Sequence, residues 1–224
     1  MLFALGQPAA FVGLLIGYLL ALFLRAVAIR LTARSLGLVP RHEPIGFRPR
    51  EDIDPFGAVA AAVGGVGWGK VIDVDEVPRT GGRGRAALVF AAGPIVTVVA
   101  SQIFFLAYAL LFPQSFGLSG LRLSGVLRGQ FESDWGVQVV LGIACGLLAF
   151  GLLALLPMPP LDGFGLLWFA QRRPGVGMQG YRLWFQEKNI GVVVLIVCCF
   201  FPLDNPLLLL PVDLLGMVFL ALWG

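Results

Sequence analysis

Charge is scarce in this chain and histidine is almost absent. Only 13% of the 224 residues are charged and His42 is the sole histidine, against 58% hydrophobic residues. A soluble globular domain carries roughly a quarter charged residues, so that class is excluded. The first 24 residues hold no charged side chain, and apolar character runs on to about Leu31, enough to cross a bilayer. No basic n-region or small-residue cleavage site marks a signal peptide, so the segment is expected to persist as a helix. Cysteine is nearly as rare. Cys145, Cys198 and Cys199 all sit in apolar runs, where thiols pack as small hydrophobes. Without a Cys-x-x-Cys pair or a spaced framework, neither a thiolate metal centre nor a disulfide scaffold is expected. Internal repeats, low-complexity tracts and nucleic-acid-binding patterns are also missing, so no nucleic-acid partner is expected.

What is present is apolar length. Stretches at 8–31, 86–112, 137–157 and 189–203, with a last one at 206–223, have the composition of membrane spans. Segment 158–170 is apolar but interrupted by Pro159, Pro160 and Asp162, which predicts a broken or partly inserted helix. The expected fold is an all-α polytopic membrane protein with about five to six transmembrane or partly inserted helices, one domain over 1–224. Loop 32–85 holds eight Lys/Arg, loop 113–136 two, and region 158–188 four. That alternation predicts a cytoplasmic 32–85 loop and an outside N-terminus, in a bacterial inner membrane.

The 32–85 loop has its own punctuation. Asp54-Pro55-Phe56-Gly57 reads as a turn. Ala58 to Val66 is small and apolar, suited to a re-entrant segment buried against helices. Trp68 to Val77 partly alternates apolar and polar residues, which predicts a small β-hairpin arm with a free edge. Gly81-Gly82-Arg83-Gly84-Arg85 lacks the lysine and hydroxyl of a phosphate loop, and basic residues are ordinary at a cytoplasmic membrane boundary.

Four landmarks in order give the chain a resemblance. They are Ile53-Asp54-Pro55-Phe56-Gly57, Gly67-Trp68-Gly69-Lys70, Ala92-Gly93-Pro94 and Leu156-Pro157-Met158-Pro159-Pro160-Leu161-Asp162-Gly163. Together these resemble the site-2-protease-type (M50) intramembrane zinc metalloproteases over about residues 10–205, the last landmark being the most specific. The resemblance implies a zinc site built from His-Glu-x-x-His on the first helix and a distant aspartate. Aligned through Ser35-Leu36-Gly37, the first histidine falls on Arg25, the catalytic glutamate on Ala26 and the second histidine on Ile29. Two family asparagines fall on Thr97 and Ala154. The third ligand is retained as Asp162.

A hydrolytic zinc needs about three protein ligands, a water and a base, and by this alignment one ligand remains. Cofactors and bound metal are therefore not expected, and His42 between Arg41 and Glu43 completes no ligand set. The resemblance makes the side chains at 25 and 162 converge, so Arg25 is expected to pair with Asp162 where zinc would lie. The ordinary alternatives are that Arg25 snorkels to the interface, as Arg30 and Arg34 would, and that Asp162 caps a helix after the prolines. The leading functional expectation is a catalytically inactive homologue acting as a binding, accessory or scaffold subunit of a membrane complex. Its partners would be other integral membrane proteins and lipid, with pigment or lipid at a subunit boundary left open. A divergent membrane hydrolase using Thr97, Ser101 or Ser124 lacks an evident base. For a transporter or cofactor-binding subunit, the few intramembrane ionisable residues and the want of an inverted repeat argue against transport.

Overall fold

Proline at the first helical position and glycine just past the last delimit the first long helix, α1 (Pro8–Ser35). At its end Gly37 takes φ +70°, and Gly37 N and Leu38 N donate to the carbonyls of Arg34 and Ala33 at 3.1 and 2.9 Å. This double closure satisfies carbonyls that a helix end leaves open, and glycine adopts that φ without strain. The computed structural model describes residues 1–40, 44–70, 72–77, 82–114, 118, 120–131, 133–200 and 206–223.

A single turn, α2 (Pro49–Asp52), leads into α3 (Pro55–Gly64). The Asp54 carboxylate accepts from Phe56 N and Gly57 N at 2.7 and 3.1 Å. Asp54-Pro55, read above as a turn, is therefore a helix start, with an acidic cap and proline at N1. Next come α4 (Arg83–Leu111), α5 (Leu123–Leu127), α6 (Trp135–Ala154) and α7 (Asp162–Ala170). The chain continues through α8 (Val176–Arg182), a π-turn at Leu183–Glu187, α9 (Ile190–Phe200) and α10 (Leu209–Leu220).

Helices α1, α4 and α6 are long and apolar enough to cross a membrane. α6 lies at the centre: 83% of its apolar stretch is buried, against 50% for α1 and 39% for α4. α4 turns Leu88, Ile95, Val99, Ile103, Leu106 and Leu110 outward, a stripe at helical spacing that water would penalise and hydrocarbon would not. α1 and α6 touch backbone to backbone. A Cβ at Gly13 would lie 2.5 Å from the Val139 carbonyl oxygen, and one at Gly17 3.0 Å from that of Ile143. Small residues allow this approach between membrane helices. Gly13→Val is expected to lower stability by about 1–3 kcal/mol through overpacking, seen as a lower thermal midpoint in detergent. An unchanged midpoint would contradict the close crossing.

Two expectations need correction. The described residues contain three helices long and apolar enough to span, or four if Val176–Glu187 and Ile190–Phe200, bent by 67°, form one broken crossing. Among the described residues α9 and α10 supply 11 and 12 residues, too few to cross alone at about 1.5 Å per residue. The hairpin is also absent among the described residues, where pairing is limited to one bridge between Ile53 and Gly69. Glu76 N donates to Asp73 O, and Asp75 N to the Asp73 carboxylate, both at 3.0 Å. This Asx turn breaks the alternation that suggested a strand.

Candidate functional site

Arg25 sits in α1 ten residues before its end, roughly 15 Å along the axis. The side chain stays inside: Arg25 is 5% exposed and Asp162 4%. Arg25 Nε donates to Asp162 Oδ2 at 2.7 Å and Nη2 to Oδ1 at 2.5 Å, a fork-on-fork pair. Nη2 also donates to the Lys70 carbonyl at 3.2 Å. Asp162 is the first residue of α7, where the helix dipole favours a carboxylate as well. The carboxylate is thus held by a cation and a helix end together.

Two glycines make room for the pair. A Cβ at Gly93 of α4 would lie 2.7 Å from Arg25 Cγ, 3.3 Å from Ile29 Cδ1 and 3.5 Å from Asp162 Oδ2. One at Gly69 would lie 2.9 Å from Arg25 Nη1. Gly64 packs on Cys199 and Gly67 on the Gly57 carbonyl, so the glycines of the 64–67 and 91–93 stretches face this chain's own interior.

Arg25, Ile29 and Asp162 therefore meet around Gly93. Ala26 and Ile29 are buried and present only carbon beyond their backbone. Thr97, one turn beyond Gly93, donates within α4 to the carbonyls of Gly93 and Pro94 at 3.1 and 2.9 Å, and it lies against Gly151 of α6. Ala154 is buried at the end of α6. His42 lies outside the described residues. Among the described residues no three His, Cys, Asp or Glu side chains gather at one point.

A second ion pair escaped the sequence reading. Arg30 donates through Nη1 and Nη2 to Asp52 Oδ2 and Oδ1 at 2.9 and 2.6 Å, and to the Gly46 carbonyl at 2.8 Å. Asp52 Oδ2 further accepts from Arg48 N at 2.6 Å. Arg30 does not simply snorkel; it fastens the 46–52 segment to α1. No spacing signals this, because the partners sit in two separate helices, α1 and α2, with no shared period.

Beside the two pairs opens a cavity of about 450 Å³. Its wall combines Arg25, Ala26, Ile29 and Arg34 of α1 with Lys70, Ile72 and Val89. A zinc ion does not fit this donor set. Arg25 brings a guanidinium, which has no lone pair to give. Ala26 and Ile29 offer only hydrocarbon side chains. The remaining carboxylate already accepts two charge-assisted bonds.

Over 125 residues the chain is 32% identical to "Putative zinc metalloprotease YwhC" of Bacillus subtilis (strain 168), a match covering 54% of this chain and 51% of that protein. The chain thus aligns with about half the length of this curated relative. No protein-family profile matches. No solved structure gives a significant match.

Proposed function

We propose that this chain is a membrane-embedded relative of intramembrane zinc metalloproteases that has lost the hydrolytic chemistry and acts by binding. Its role is that of an accessory or scaffold subunit of a membrane protein complex. The partners are other integral membrane proteins, met in the lipid phase. The observation that carries the reading is the bidentate Arg25–Asp162 pair. A cation covalently part of the chain satisfies the carboxylate, and neither Ala26 nor Ile29 can take a proton or hold a metal. Basic residues concentrated in 32–85 support a cytoplasmic location for that loop and an N-terminus outside.

The hydroxyls considered as alternative nucleophiles are engaged elsewhere. Ser101 Oγ donates to the Val98 carbonyl at 2.6 Å, as Thr97 does to its own helix. Ser124 gives both its backbone N and its Oγ to the Asp213 carboxylate at 2.8 and 2.6 Å. That geometry secures the start of α5 to α10.

The test is gentle detergent purification, followed by metal analysis and a cleavage assay on transmembrane peptides with the same sample. The expected result is far less than one zinc per chain, no cleavage above background, and a stoichiometric membrane partner by mass spectrometry. Stoichiometric zinc with cleavage would overturn the reading.

A further inference from the structure

The cavity beside Arg25 has an uneven charge account. Among its acids, Asp52 is consumed by Arg30 and Arg48 N, and Glu51 bonds Arg48 Nη1 at 2.6 Å. Glu76 is the one lining carboxylate with no cationic partner among the described residues. On the other side, Lys70 and Arg34 line the cavity and have no acidic partner among the described residues. Arg25 adds a third donor. Its Nε and Nη2 are spent on Asp162 and the Lys70 carbonyl, while Nη1 donates to no acceptor among the described residues. Arg25 lines the cavity, which places this unspent N–H edge at its inner wall.

The rest of that wall is hydrocarbon: Ala26, Ile29, Ala33, Val39, Ile72 and Val89. The volume of about 450 Å³ lies within the roughly 300–1,000 Å³ of small-molecule sites. Unspent cations beside an apolar wall call for a ligand with an oxyanion at one end and an alkyl chain at the other. Cationic donors discriminate for an ionised acceptor, because charge-assisted hydrogen bonds are the stronger ones.

We infer that this cavity is a binding site for an anionic amphiphile, its carboxylate or phosphate held by Arg25 Nη1, Arg34 and Lys70 and its acyl chain laid along Ile29, Ile72 and Val89. The source is either a free fatty acid or an anionic phospholipid. The inference goes beyond the accessory role and is read on the isolated chain, so the two fail separately.

The experiment is native mass spectrometry of the full chain, titrated with oleate, with oleyl alcohol, and with phosphatidylglycerol in phosphatidylcholine nanodiscs. One oleate or one phosphatidylglycerol per chain is expected; the first alone identifies a free acid, the second a membrane lipid. Oleyl alcohol, which lacks the charge, should bind at least tenfold more weakly. An Arg34→Gln/Lys70→Gln variant should weaken binding of the anion by at least tenfold, since each charge-assisted contact is worth roughly that factor. Lys70 is exposed and Arg34 half-buried in the last turn of α1, so this variant should fold. The alcohol comparison needs no variant at all. Equal binding of oleate and oleyl alcohol, binding unchanged in the variant, or no stoichiometric uptake of either anion would each overturn the proposal.

Discussion

Arg25→Ala is expected to lower the unfolding free energy by about 3–5 kcal/mol, the range for stripping one partner from a buried ion pair. The loss has a specific origin. Asp162 would keep its carboxylate in a wall that includes Gly93 and Ile29, without the two bonds that Arg25 gives it. The Lys70 carbonyl would lose its donor in the same step. Arg25→Lys should recover only part of the loss, because an ammonium offers a point charge where the guanidinium gives two parallel bonds. Arg34→Ala, on the same helix but without an acidic partner among the described residues, should change stability by less than about 1 kcal/mol. Thermal or denaturant unfolding in one detergent compares all three. A loss for Arg25→Ala no larger than that for Arg34→Ala would contradict the buried pairing.

The second large effect is a gain. If Arg25 stands where a metal ligand stood, restoring imidazoles should make the site a zinc site again. Arg25→His with Ile29→His places two histidines one helical turn apart on the face of α1 that meets Asp162, a set of three ligands open at the fourth position. The double variant is expected to take up about one zinc per chain, and the parent far less. Combining it with Asp162→Ala should abolish the uptake, since two ligands do not retain the ion. Each sample is checked by metal analysis after dialysis against a weak chelator. Uptake that survives Asp162→Ala would show binding elsewhere.

The helices at the heart of the fold were legible because nothing interrupts them. The runs at 8–31, 86–112 and 137–157 correspond to α1, α4 and α6 within a few residues. An unbroken apolar run of bilayer length admits little besides a spanning helix. The later runs were less so. Composition at 189–203 and 206–223 is that of a span, yet α9 and α10 are short; where a helix breaks depends on packing that composition does not carry. Trp68, Val74 and Val77 are all buried, but the chain turns at Asp73–Glu76 between the two valines, so alternation misled.

The site was legible only in part, and for a different reason. Arg25 and Asp162 are 137 positions apart, and no period or local spacing connects them. Family resemblance alone suggested that their side chains converge. The continuation of α1 to Ser35, one turn beyond the expected end, is what sets Arg25 deep. The Arg30–Asp52 pair had no such guide, and an arginine near a helix end has an ordinary interfacial explanation. Gly69 and Gly93 could be seen as glycines but not as the walls that leave space for a guanidinium.

The central claim is that Arg25 and Asp162 stabilise each other directly, in place of a metal. A double-mutant cycle on Arg25→Ala and Asp162→Ala measures this most directly. The expected result is a coupling of at least about 2 kcal/mol, with the double variant more stable than the sum of the single losses implies, because removing both charges leaves neither stranded. Losses that simply add would contradict it, and the pair would then be two neighbours without a bond that matters.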